Sequence, residues 1–192
     1  VLLDMGANAD VRPDMLVQFA QMGRAYSRVV VGVDDPTVAL LSNGSEDTKG
    51  SSAVVAAHTA LAALGESWFV GNCEGTDLLA GRFDVIVTDG FTGNVALKSL
   101  EGTAKFLLGE LKSAIEDSKR AAVGALMIKP ALKDLSQKLS GDAYGGAIFL
   151  GLKAPVLIGH GATSAEAVKN GTLACARAHD SRLVDRIVAE MA

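Results

Sequence analysis

The chain has 192 residues, a mass of 19.7 kDa and a mean hydropathy of +0.29, with 49% hydrophobic and 21% charged residues; this allows one domain or two small ones and excludes a disordered chain. Its 18 basic and 22 acidic residues leave a net charge of -4, and aromatics make up 5%, which excludes a generic nucleic-acid binder built on basic surface and stacking platforms. The 2 cysteines, Cys73 and Cys175, lack metal-ligand spacing, and no apolar run reaches the roughly 18 residues of a membrane span, so the expectation is a cytoplasmic protein without disulfide scaffold, metal or leader.

In chain order, Val1–Leu3 reads as a short buried strand running into the polar turn Asp4-Met5-Gly6. A chain that opens inside a strand is expected to be the later part of a longer protein. From Asp10 to Tyr26, Leu16, Phe19, Ala20 and Gly23 share one helical face, with Pro13 suited to a first turn. Val38–Leu41 is a strand, the polar stretch Ser42 to Ser52 a loop, and Val54, Ala57, Leu61 and Leu64 mark a helix. Trp68-Phe69-Val70 is a strand followed by a turn at Gly71–Gly75, and Val85-Ile86-Val87 is a strand ending in Thr88-Asp89-Gly90. Thr92 to Leu139 breaks the alternation and reads as a projecting helical hairpin, with helices on either side of Gly124 and Pro130 in the first turn of the second. Val156–Ile158 is the last strand, ending in Gly159-His160-Gly161, and helices follow over Ser164–His179 and Ser181–Met191. Strands alternating with helices predict an α/β fold with a mostly parallel sheet flanked by helices, in which ligands sit beyond the carboxyl ends of the strands.

Three strand-end segments can carry chemistry. In Asn43-Gly44-Ser45-Glu46-Asp47-Thr48-Lys49-Gly50-Ser51, glycines and helix-opening N–H groups can curl around an anion and Lys49 adds a cation, although a plain surface loop has the same composition. In Asp89-Gly90-Phe91-Thr92-Gly93-Asn94, Asn94 either caps a helix or donates its amide to a substrate oxygen. His160, between Gly159 and Gly161, is either a proton donor at neutral pH or an exposed loop histidine. His58 and His179 read as structural. Between Lys119 and Lys138, the cations Lys119, Arg120, Lys129, Lys133 and Lys138 face only Asp134, around the apolar run Ala121–Ile128. This apolar tip suits interfacial membrane contact or a partner helix, and equally a dimer contact or a core helix pair.

The motifs VLLDMGANAD, VALLSNGSEDTKG, FVGNCEG, VIVTDGFTGNVALKSLEG and YGGAIFLGLKAPVLIGHG occur in that order. Together they resemble the PlsX family of phosphate:acyl-[acyl-carrier-protein] acyltransferases of bacterial phospholipid synthesis. Ser51, Thr76 and Gly159 depart from the family's usual Asn, Arg and Ser. The resemblance implies an isopropylmalate-dehydrogenase-like (phosphotransacetylase-like) fold, of which residues 1–192 form the C-terminal part, with a hairpin over 92–139. It implies transfer of a fatty acyl group from acyl-carrier protein to inorganic phosphate, without a cofactor. A homodimer and peripheral membrane association through the hairpin are implied too. Lys49 and Asn94 match the family's functional Lys and Asn, and His160 a family His. Asn43, Gly44, Gly50, Ser51, Asp89, Gly90, Thr92, Gly93 and Gly161 are the expected substrate-binding surroundings. A phosphotransacetylase acting on short acyl-CoA is the alternative.

Overall fold

A computed structural model describes residues 1–139, 145–159 and 164–191. The chain divides into two compact units. One comprises Val1–Ala96, Leu150–Pro155 and Arg177–Ala192; the other comprises Leu97–Phe149 and Val156–Ala176.

The first unit is built on a four-stranded sheet of β1 (Leu2–Leu3), β2 (Val38–Leu41), β3 (Phe69–Cys73) and β4 (Val85–Val87), in the order β1-β4-β2-β3. Every pairing is parallel. Its central strands read Val-Ala-Leu-Leu and Val-Ile-Val because both their faces are covered, and every residue in them is buried. Register sets Val38 beside Val85 and Leu40 beside Val87, so these side chains share one face. Helix α1 (Pro13–Tyr26) packs there, with Gly23 against Val85, and α1 in turn meets α2 (Ser52–Ala63) and the C-terminal α6 (Leu183–Glu190). On the opposite face Ala39, Leu41, Cys73 and Ile86 form a cluster against Leu2, Leu78 and Phe83. Burial pushes the Cys73 thiol up to about 12, so it serves as a small apolar residue. Arg24 ties the edge of this unit together: it pairs with Glu190 and Asp35, and its guanidinium lies 5.3 Å from the centre of the buried Trp68 ring.

Helix α3 (Gly90–Glu116) starts in the first unit and runs into the second, which also holds α4 (Lys119–Leu139), β5 (Ala147–Phe149), β6 (Val156–Ile158) and most of α5 (Ala165–Asp180). Strands β5 and β6 pair antiparallel, as a separate two-stranded sheet. Gly171 of α5 lies against Leu157 and the Gly145 carbonyl. Leu108, Leu111, Ile115 and Leu132 line a cleft of about 250 Å³, while Phe106, Leu107, Val123, Leu126 and Met127 stand exposed. No helix among the described residues is long and apolar enough to cross a membrane.

Three regions differ from expectation. The helix break falls at Asp117-Ser118, where the Ser118 hydroxyl accepts the Ala121 N–H, and not at Gly124. A lone glycine costs a helix only about 1 kcal/mol, and the run around Gly124 is rich in Ala, Leu and Met. The apolar run Ala121–Ile128 is therefore part of α4 and not a tip between helices, and Pro130 lies inside α4, well past its first turn. Strand β3 continues through Gly71, Asn72 and Cys73, where a turn was expected; pairing with β2 carries it past the glycine. Finally, Val156–Ile158 pairs with Ala147–Phe149 and is not a strand of the parallel sheet.

Leu16 is fully buried and Met127 is 82% exposed. Urea unfolding is expected to show a loss of about 2–5 kcal/mol for Leu16→Ala and less than about 0.5 kcal/mol for Met127→Ala. Equal losses would contradict this division into core and uncovered surface.

Candidate active site

The loops that leave β1, β4, β2 and β3 all emerge at the carboxyl edge of one parallel sheet. The first is organised by Asp4, which is 4% exposed. Its carboxylate accepts the N–H groups of Gly6 and Ala7 at 2.9 Å, the Asn8 N–H at 2.7 Å and the Asn8 side-chain amide at 2.9 Å. Burial opposes the charge, but these donors outweigh it and hold the carboxyl below its ordinary pKa.

The second loop joins β4 to α3. Asp89 precedes the helix, and its two carboxylate oxygens take the Thr92 N–H at 2.7 Å and the Thr92 hydroxyl at 2.8 Å. Asp89 is thus the helix cap, and Asn94 lies one turn inside. Two glycines allow α3 to press on the Asp4 loop. A Cβ at Gly93 would lie 1.8 Å from the Asp4 carbonyl oxygen, and one at Gly90 would lie 2.7 Å from that of Asn8. The Gly90 N–H donates to this same Asn8 oxygen at 2.8 Å. The contact sets the Asn94 side chain over Gly6, within 4 Å of where a Cβ there would stand. Asn94 is exposed, and its amide has no hydrogen-bond partner among the described residues.

The third loop follows β2. Ser51 caps α2 by accepting the Val54 N–H at 3.3 Å, and Gly50 has φ +111°. A turn closes where the Lys49 N–H donates to the Glu46 carbonyl at 3.0 Å. The Lys49 stem passes so close to Gly44 that a Cβ there would lie 2.8 Å from its Cγ. Lys49 itself is exposed and forms no ion pair among the described residues. The Ser42 hydroxyl, at the mouth of this loop, is buried and has no hydrogen-bond partner among the described residues. Asn72, near the end of β3 and 6% exposed, donates from Nδ2 to the Glu46 carbonyl at 2.7 Å and reaches the Lys49 carbonyl at 3.5 Å. On its other side, Asn72 Oδ1 is 3.0 Å from His58 Nδ1.

Lys49 and Asn94 therefore stand beyond adjacent strands of one sheet, with no hydrogen bond between them among the described residues. Of the other predicted residues, Ser51, Asp89 and Thr92 spend their side chains on caps, while Gly90 and Gly93 provide close approach. Gly44 lies under the Lys49 stem and Asn43 is exposed on the loop. His160 and Gly161 lie outside the described residues. Sequence reasoning missed Asp4, Asn8 and Asn72 as the groups that hold these loops. The available signals were short polar residues at strand ends, Asp4 two places before Gly6 and Asn72 beside Gly71. The arrangement offers a cation and an amide without partners among the described residues, so it is suited to binding an anion and polarising an oxygen.

Comparison with known proteins gives a consistent picture. A family described as fatty acid synthesis protein matches residues 1–186. A protein named phosphate acyltransferase from Thermobifida fusca (strain YX) is 47% identical over 193 residues, covering 97% of this chain and 53% of the relative. One of the same name from Levilactobacillus brevis is 49% identical over 174 residues, 88% of this chain and 50% of the relative. A third, from Anaeromyxobacter sp. (strain K), is 47% identical over 192 residues, 100% of this chain and 53% of the relative. The chain spans about half the length of the curated relatives it matches.

The lowered Asp4 pKa has a definite sign. The ionised carboxylate adds stability above the ordinary carboxylate pKa of about 4, and this is lost as pH falls through its lower folded value. Asp4→Asn is expected to lose about 1–3 kcal/mol at neutral pH and to flatten the decline in stability below about pH 4, as read by denaturant titrations across pH. An unchanged acid limb would contradict the role given to Asp4.

Proposed function

We propose a function for this chain from one premise: it belongs to the fatty acid synthesis protein family. The function is transfer of a fatty acyl group from the thioester of acyl-carrier protein to inorganic phosphate, giving acyl phosphate for phospholipid synthesis. A phosphate oxygen attacks the thioester carbonyl, the C–S bond breaks, and the thiolate leaves and takes up a proton. Phosphate is already largely dianionic near neutral pH, so the protein's work is positioning and stabilisation of the oxyanion. Lys49 holds phosphate together with the backbone around Gly44 and Gly50. Asn94 donates to the carbonyl oxygen as negative charge develops there. His160 is given the proton for the thiolate on the resemblance alone.

The observation that carries this reading is the pattern of hydrogen-bond use at the sheet edge. Asp4, Asp89, Thr92 and Ser51 are committed to backbone and neighbours, while Lys49 and Asn94 remain without partners among the described residues, beyond adjacent strands. The exposed apolar side chains of α3 and α4 supply surface for a second copy of the chain, a lipid interface or acyl-carrier protein. The cations between Lys119 and Lys138 favour the acidic carrier and anionic headgroups. The fold expected from the resemblance, isopropylmalate-dehydrogenase-like, a homodimer and a cytoplasmic location with peripheral membrane contact belong to the same proposal. A short-chain acyl-CoA phosphotransacetylase would run the same chemistry, and the two are separated by comparing acyl-carrier protein and CoA thioesters as donors.

In the full-length protein, Lys49→Ala and Asn94→Ala are each expected to lower kcat/KM for phosphate-dependent thiol release by about 100-fold or more. Turnover within about threefold of the unsubstituted protein for both variants would overturn the assignment.

A further inference from the structure

We propose that Asn72, backed by His58, is a positioning residue that sets where the Lys49 ammonium stands; the inference rests on the reading of Lys49 as the phosphate-holding cation. Asparagine is a poor strand former, and a buried amide is costly unless its donors and acceptor are all used. Asn72 is 6% exposed at the carboxyl end of β3, and its amide is used on both sides. Nδ2 faces the Glu46 carbonyl at 2.7 Å and the Lys49 carbonyl at 3.5 Å. Carbonyls only accept, so the nitrogen must point to them and Oδ1 must point to His58. It follows that the proton of the neutral His58 ring is on Nδ1, 3.0 Å from Oδ1. The ring itself is held edge-on to Phe69, with centroids 5.2 Å apart and planes at 77°.

The consequence falls on Lys49. Its N–H is spent on Glu46, and Asn72 draws the carbonyls of both Glu46 and Lys49 toward the sheet. The loop from Asn43 to Lys49 is otherwise almost wholly exposed. Among the described residues, the Asn72 amide supplies the only hydrogen bonds from this stretch to another element. With the backbone fixed on both sides of Lys49 and the stem lying on Gly44, the ammonium sweeps a small volume instead of a large one. Asn72 acts through Lys49 and does not itself touch the substrate.

The test uses the full-length protein, with inorganic phosphate as probe, and compares Asn72→Asp and His58→Phe. Asn72→Asp keeps an acceptor for His58 but sets a carboxylate against two carbonyls. His58→Phe keeps the ring edge on Phe69 and removes the Nδ1–H. Asn72→Asp is expected to raise the KM for phosphate about tenfold while the KM for the acyl donor stays within about twofold. In a Lys49→Ala background, the same substitution is expected to change the phosphate KM by less than about twofold, since the side chain it acts through is gone. His58→Phe is expected to raise the phosphate KM about threefold. An unchanged phosphate KM in folded Asn72→Asp, an equal rise in both KM values, or the full effect in the Lys49→Ala background each overturns the proposal. If Asn72→Asp does not fold, His58→Phe decides alone, and an unchanged phosphate KM in that variant overturns it. Absence of phosphate-dependent turnover in the unsubstituted protein defeats the functional reading itself, and this proposal with it.

Discussion

A buried carboxylate meets four N–H donors within four residues of chain, and the sheet edge is organised around it. Asp4 closes the loop after β1 onto itself through Gly6, Ala7 and Asn8. Closed in this way, the loop turns two backbone carbonyls outward as fixed surface. One, from Asn8, accepts the first N–H of α3; the other, from Asp4, lies against Gly93, where any side chain would collide with it. The start of α3 is thus located by contact with a neighbouring strand's loop as well as by its own cap. Asn94 takes its place over Gly6 as a consequence, and the spacing Gly-Phe-Thr-Gly-Asn becomes a statement about which face of the helix is pressed inward.

The loop after β2 solves the same problem by other means. Among the described residues it has no charged anchor of its own, and its residues from Ser45 to Gly50 are exposed. It borrows the amide of Asn72 from the next strand, and Asn72 is in turn squared up by His58. The loop held by Asp4 seats the start of α3, the loop held by Asn72 carries Lys49, and beyond the adjacent strands β4 and β2 they present one amide and one cation without partners among the described residues. Backbone order of this kind is what electrostatic catalysis needs, because donors already in place cost little to bring to the transition state.

Much of this was legible in the sequence, and the limits have physical causes. Val38–Leu41 and Val85–Val87 were readable because strands covered on both faces must be continuously apolar. The α1 face was readable because Leu16, Phe19 and Ala20 follow the helical period and are buried accordingly. The segments around Lys49 and Asn94 announced themselves by glycines at strand ends. The break at Asp117-Ser118 was missed because glycine at position 124 drew attention that a modest serine cap did not. The pairing of β6 with β5 was missed because a short apolar run carries no mark of its partner or direction. Asp4 bonds within its own loop and was marked only as a polar residue two places before a glycine, while the part played by Asn72 was hidden for a reason similar to that of β6. Bonds from a side chain to the backbone of another loop have no period and leave no pattern in the chain.

The central claim is that a phosphate oxygen, held at this edge, becomes the bridging oxygen of an acyl phosphate. Incubating the full-length protein with long-chain acyl-[acyl-carrier-protein] and phosphate fully labelled with oxygen-18, then weighing the product by mass spectrometry, tests it most directly. The account predicts acyl phosphate that retains all four labelled oxygens, formed in step with free carrier thiol. Fatty acid carrying only solvent oxygen, or no thiol release that depends on phosphate, would contradict it.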